Sequence, residues 1–284
     1  MTKLFVLAFA AAFAALTSAA AAQTPATNPM PDGSHDMYVG LGVVAKPRYA
    51  GAADRETAAL PVVQFQWSNG AFVSGMSAGI HLSRSPRVEF GPLIEVQPRR
   101  SEAGSGDEAG GIDGTRFSMV ALPASVPENR LAGMPEVRAR LQAGGFLNVY
   151  LNPDWRLTGS ALYGAGNARR GVRVDVGVQR LALDFGAQHR VTLAGGLTLV
   201  NRDHNEAFFG VSGTESFASG NPMHAPEGGL RDVHLGARWN WALTPEWMLS
   251  SSAQATRLLG DARHSPLTER PTNLTVFTAI AYRF

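Results

Sequence analysis

From Met37 onward the chain alternates apolar with polar or small residues in segments of about ten, separated by turn residues. The pattern is clearest over residues 230–243. There Val233, Leu235, Ala237, Trp239, Trp241 and Leu243 share one face, opposite Asp232, His234, Gly236, Arg238, Asn240 and Ala242. A strict period of two predicts a strand, because successive side chains of an extended chain point to opposite faces; an amphipathic helix would return its apolar residues at three- and four-residue spacing. Residues 137–151 repeat the pattern, with Val137, Ala139, Leu141, Ala143, Leu147, Val149 and Leu151 outward and Arg138, Arg140, Gln142, Asn148 and Tyr150 inward. Over 172–179 four valines alternate with Arg173, Asp175, Gly177 and Gln179, and the period slips at Arg180. Residues 190–201 carry Val191, Leu193, Leu197 and Leu199 on one face.

Shorter candidates are 38–45, 62–67, 71–80, 88–96 and 155–163, and the segments 247–258 and 273–284 finish the set. Several of these reach the 9 to 11 residues or so that a tilted membrane strand needs, where strands of soluble sheets average about five or six. The inner face is rich in arginine and glycine, which suits a porin-like lumen better than the apolar core of a periplasmic sandwich or a lipocalin-like barrel. At the C-terminus Leu274, Val276, Ile280, Tyr282 and the final Phe284 fall on one face. Trp155, Trp239, Trp241, Trp247 and Tyr282 sit at or near strand ends, where interfacial aromatic girdles lie. The expected fold is therefore all-β, an antiparallel transmembrane β-barrel of about 12 strands. Reaching that even number requires counting 208–211 as a short strand. With this count the long stretch 98–134 falls on the periplasmic side, where turns should be short.

The opening residues change the picture at one end only. Lys3, an apolar run from Leu4 to Leu16 and the small residues Ala19 to Ala22 have the order of a secretory signal peptide, expected to span residues 1–22. The run is shorter than the roughly 20 residues of a membrane helix. Residues 23–36, rich in Pro, Asn, Gly and Ser, read as a flexible leader, and the barrel as 37–284. Cysteine is absent, so disulfides, thiolate nucleophiles and cysteine metal sites are excluded. The net charge of +2 marks no polybasic surface, and no nucleic-acid partner is expected. The 31 glycines and 17 prolines are spread along the chain, as many turns require. Outer-membrane lipid is the expected surrounding, and a barrel of this size closes alone without an oligomer.

Candidate chemistry is sparse. Asp261, His264 and Ser265 are the best hydrolytic cluster, yet adjacent residues on a turn need not converge, and triads are defined by geometry. Asp203, His204 and Glu206, or His224 and Glu227, match no metal-ligand spacing and read as solvated turns. The glycine-rich stretches 104–114 and 164–171 lack the helix and lysine of a phosphate loop. No cofactor is expected and the protein reads as a non-enzyme. The candidate lumen residues are Arg138, Arg140, Arg156, Arg173, Arg190 and Arg238 against Glu89, Glu95, Asp175 and Asp232. A salt-bridged plug and an anion-favouring pore use the same residues, so both readings stand at this point.

Two regions carry a family resemblance. YVGLGVVAKPRYAGAADRETAALPVVQFQW, with Gly40, Gly42, Pro47, Tyr49, Gly51, Leu60 and Pro61, resembles the opening of the MipA/OmpV family of outer-membrane proteins. FFGVSGTESFASGN, GGLRDVHLGARWNWALTPEWMLS and RLLGDARHSPLTERPTNLTVFTAIAYRF, with Gly260, Asp261, Ser265, Pro266 and Phe284, are similar to its closing strands and loops. The segments 90–94 and 131–134 match more loosely, and 99–130 is longer and more irregular than the family pattern. The resemblance implies an integral protein of the cell outer membrane. For the family's namesake it implies a scaffold that brings a lytic transglycosylase together with a murein (peptidoglycan) synthase; small-solute uptake through the barrel is the alternative.

Overall fold

The computed structural model describes residues 35–83, 85, 87–106, 130–184 and 188–284, so the expected signal peptide and nearly all of the leader lie outside the described residues. The strands are β1 (His35–Pro47), β2 (Arg55–Trp67), β3 (Ala71–Ser74), β4 (Ser77–Ile80), β5 (Val88–Gln97), β6 (Arg99–Ser101), β7 (Gly104–Gly106), β8 (Arg140–Tyr150), β9 (Trp155–Ala165), β10 (Gly171–Asp184) and β11 (His189–Val200). Helices α1 (Arg202–Phe209) and α2 (Gly213–Ser219) follow, then β12 (Gly229–Ala242), β13 (Trp247–Leu258), helix α3 (Gly260–His264) and β14 (Thr272–Arg283).

All strands except the small β6–β7 ribbon form one closed antiparallel barrel, each paired to its sequence neighbours, with β1 pairing β14 to shut the seam. Closure leaves the membrane wall without a free end, which spanning the hydrocarbon requires. The ring has twelve members, as the periodicity implied, but they are not the expected twelve. Residues 71–80 are two four-residue strands that reverse at Gly75, whose φ of 56° only glycine adopts readily. Residues 208–211 form no barrel strand: Phe208 and Phe209 end α1, and Val211 makes only an isolated bridge to His224.

These two corrections cancel in number but not in sidedness. The extra reversal at Gly75 carries the described residues 98–106 and 130–139 to the same end as the loops 48–54, 166–170, 201–228 and 259–271. The opposite end has the short turns 68–70, 151–154 and 243–246 and the β4–β5 and β10–β11 connections, together with Phe284. Short turns are periplasmic in barrels of this kind, so the long loops are extracellular and the expected conflict disappears.

Solvent exposure shows which medium the barrel is built for. On the outward face Leu41, Leu141 and Leu235 are 69%, 70% and 71% exposed, while inward Gln142 and Asp232 are 1% and 2% exposed. A soluble barrel would reverse this; an apolar outside and a polar inside match a bilayer. Trp155, Trp239, Trp241, Trp247 and Tyr282 all lie at the short-turn end, with Trp247 against Tyr282 at 5.2 Å and Trp239 stacked on Trp241 at 5.8 Å. The slip at Arg180 is a register shift of β10 against β11 between Arg180 and Leu183. One boundary is corrected: β8 starts at Arg140, and Val137, expected to face outward, is buried and bridges Arg100 among the extracellular loops.

Candidate functional site

Inside the barrel, alternation along each strand delivers polar side chains to one another. Arg173 on β10 donates to Glu95 on β5, three strands away across β9 and β8, and through Nε to Asp175 Oδ2 at 3.0 Å. Asp175 also accepts from Thr198 Oγ1 at 2.9 Å and Ser160 Oγ at 3.4 Å. A lower tier joins Arg156 to Gln179 Oε1 and to Tyr150 Oη at 3.2 Å, and Tyr150 in turn donates to Glu89 at 3.0 Å. A third group places Asp232 against Arg231 at 2.7 Å and His234 Nδ1 at 3.3 Å. Glu89, Glu95, Arg156, Arg173 and Asp175 are thus gathered into networks that tie strands together, while Asp232 is paired within β12.

The other candidate arginines divide. Arg140 and Arg238 are half-buried on the inward register; Arg190 shares that register but is exposed at the short-turn mouth. Arg138 is not a lumen residue: it precedes β8, is exposed, and its backbone N–H donates to Asn167 Oδ1 at 3.0 Å. Part of the remaining wall is apolar, with Val44, Ala58, Leu60, Val62, Phe277, Ala279 and Ala281 packed as one cluster on β1, β2 and β14. Sequence reasoning missed this arc because the stretch 58–63 is apolar on both faces, so alternation there says nothing about the lumen.

The family-motif residues of the loops meet in an extracellular cap. Gly51, with φ 96°, turns the chain so closely against the 259–271 loop that a Cβ would stand 2.9 Å from Thr268 Oγ1. Its carbonyl accepts from Glu269 N at 2.8 Å and Arg270 N at 2.9 Å. Tyr49 Oη donates to Glu269 Oε2 at 3.3 Å, and burial together with that carboxylate pushes the phenol well above its ordinary pKa. Gly260 opens α3 at φ 52°, and Asp261 Oδ2 accepts from Glu227 N at 2.7 Å. Ser265 Oγ donates to Phe209 O at 2.7 Å and accepts from Leu267 N at 3.2 Å. Tyr49, Ala52, Leu131, Met134, Val211 and Leu267 form the cap's apolar core, bringing four separate loops together. Pro47 and Pro266 flank these turns, Gly40 and Gly42 lie at the β1–β14 seam, and Phe284 at the opposite end donates its N–H to Met37 O at 3.1 Å.

Two further buried groups brace the cap. Arg100 donates to Phe208 O, its guanidinium 6.0 Å from that ring, and burial lowers it to about 10. His204, its ring 4.8 Å from Phe208, is buried, which holds its pKa well below the usual histidine value.

As a catalytic centre this arrangement fails on geometry. Asp261 is approached by His224, and only through its backbone carbonyl at 3.1 Å; His264 is exposed, and the Ser265 hydroxyl is committed to Phe209. Glu206 pairs with Arg202 at 3.9 Å, and no group of three metal-ligating acids or histidines occurs among the described residues. An open pocket of about 290 Å³ between Asn205, Glu227, Gly260 and Asp261 is lined by no serine, threonine or lysine, and its Asp261 carboxylate accepts from the Glu227 backbone N–H.

A closed barrel with an apolar outside, a polar inside and an aromatic belt at its short-turn end is an integral outer-membrane β-barrel. Its loops and seam carry the motif that a family model described as MltA-interacting protein MipA matches over residues 39–284, and the chain belongs to that family. It is 26% identical over 156 residues to outer membrane protein Omp26La of Vibrio anguillarum, and likewise to outer membrane protein OmpV of Vibrio cholerae. Each match covers 55% of this chain and 59% of the relative's length. Among solved structures, the NanC porin aligns over 86% of this chain and 100% of its own, at 10% identity and a TM-score of 0.48.

Proposed function

We propose that the protein is a non-enzymatic outer-membrane barrel that works through its surfaces, as a scaffold linked to murein synthesis and the lytic transglycosylase machinery. The observation that carries this reading is the engagement of the interior charges. Glu95, Arg173 and Asp175 are satisfied by one another and Asp232 by Arg231 and His234, all largely shielded from solvent, where a wide conducting lumen would keep them wetted. The family's description, an MltA-interacting protein, supports the choice of partner. Enzymes of the cell wall work on the periplasmic side, so the proposed contact lies on the short-turn rim at 68–70, 151–154 and 243–246.

Affinity capture of the tagged protein from mildly solubilised outer membranes tests this. Enrichment of a lytic transglycosylase and a murein synthase over an unrelated control barrel is the expected result. Equal recovery from both barrels contradicts it.

A further inference from the structure

We propose that the outward face at the extracellular start of β14 binds the phosphate groups of an outer-leaflet lipid of the lipid A type. The inference is independent of the scaffold reading, because it concerns the opposite end of the barrel. Val233, Arg257 and Thr272 stand side by side in register on β12, β13 and β14, and Arg257 continues the exposed outward row of Ala253 and Ala255. From the other side Arg55, on the outward face at the start of β2, reaches across β1. Its guanidinium donates to Leu274 O at 2.7 Å and Ala45 O at 3.1 Å. Two guanidinium groups therefore bracket residues 272–274 of β14, offset by two residues, or roughly 7 Å along the strand. Arg270 adds a third exposed positive charge just ahead of the strand.

None of the three has a carboxylate within ion-pair distance among the described residues, and the neighbouring Glu269 is already engaged by Tyr49 and Ala53 N. An outward arginine on a barrel wall is tolerated near the headgroup level. Here arginines occupy the level that tryptophans occupy at the periplasmic end. A guanidinium has five N–H donors; Arg55 spends two groups of them on backbone carbonyls, which fixes its position while others remain to face outward. Such forks match phosphate oxygens two at a time. Directly below them Leu274, Val276 and Ile280 run down β14 toward the membrane centre, 45%, 39% and 43% exposed. A charged headgroup site above an apolar strip fits a phosphorylated lipid, whereas free phosphate would use only the upper half.

The test is binding of bis-phosphorylated lipid A to the purified, heat-modifiable protein in detergent, read by native mass spectrometry. R55Q/R257Q is expected to weaken binding by about tenfold or more, since charge-assisted hydrogen bonds are lost. R169Q/R170Q, at the same end but on the 166–170 loop, is expected to bind like the parent. Dephosphorylated lipid A should bind the parent no better than lipid A binds the double variant, and equimolar inorganic phosphate should not displace it. If R55Q/R257Q loses its heat shift, R257Q alone gives the reading, because that side chain has no partner among the described residues. Unchanged affinity of the variant, an equal loss in R169Q/R170Q, equal binding of the dephosphorylated lipid, or displacement by phosphate would each overturn the proposal.

Discussion

Gly42 on β1 lies against the ring of Phe277 on β14, so closely that a Cβ at position 42 would stand 2.5 Å from the ring's Cε2. The contact spans the seam where the first and last strands meet, and Gly40 makes a similar approach to the β14 backbone. The glycines of the opening motif are therefore required by closure, and the Phe277 ring enters the inward apolar arc beside Val44 because β1 offers no side chain at 42.

Gly42→Val should impair closure, seen as a large fall in the fraction of protein whose gel mobility shifts on boiling. Phe277→Ala alone should cost about 3 to 5 kcal/mol through the cavity it leaves. Combined with Gly42→Val it should cost less than the two losses summed, because the new methyl groups enter the vacated space. Urea titration in a double-mutant cycle measures this coupling, and strict additivity would contradict the packing described.

Arg173 is the central tie of the interior, since it neutralises Glu95 and Asp175 together. Arg173→Met should destabilise the barrel by about 3 to 5 kcal/mol by leaving two buried carboxylates uncompensated. Adding Glu95→Gln and Asp175→Asn should recover part of that loss. The midpoint of the mobility shift against temperature reports the order parent, triple variant, single variant.

The cap should loosen in acid. His204 is neutral and buried in the folded cap, with burial the main cause of its lowered pKa and Arg231 and Arg173 adding to it against Asp175 and Asp232. The unfolded segment therefore binds more protons below about 6.5, so the stabilisation is complete above that pH and declines as pH falls, by at most about 1.4 kcal/mol per unit. Hydrogen-exchange protection factors across 201–228, with the intrinsic exchange rate at each pH divided out, should fall between pH 7 and pH 5 in the parent, and this dependence should flatten in His204→Phe. An equally steep dependence in the variant would show that another group titrates.

Ser265→Ala should act on the cap alone. The hydroxyl links Phe209 O to Leu267 N, so its loss should cost about 1 to 3 kcal/mol and expose 259–271 to protease while the barrel's mobility shift stays intact. A loss of the mobility shift itself would mean that cap and wall fold as one unit.

Much of the wall was legible because alternation is a direct record of which side of a strand meets lipid. Residues 230–243 lie almost wholly within β12, and even the slip at Arg180 marks a real bulge. The failures have specific causes. In 71–80 the hairpin at Gly75 is too tight to interrupt the apolar run, so two short strands read as one. In 208–211 two phenylalanines imitate strand composition but end a helix capped by Asn201. Val137 looks like a lipid-facing residue and is instead covered by the cap, which local periodicity does not register. The candidate lumen set was mostly placed on the inward side by parity, but parity gave neither the partners nor the position of Arg138 beyond the strand. The cap was invisible for a plainer reason. Its contacts, such as Tyr49 with Glu269, join residues far apart in sequence that only barrel closure brings together.

The most direct test of the central claim is planar-bilayer recording on purified protein that still shows its boiling-dependent mobility shift. A surface-acting barrel with an interior of paired, buried charges is expected to give no stepwise conductance, and Arg173→Met combined with Glu95→Ala should begin to. Regular steps from the parent protein, with a preference for anions, would contradict the account and make the arginines of the lumen a conduction path.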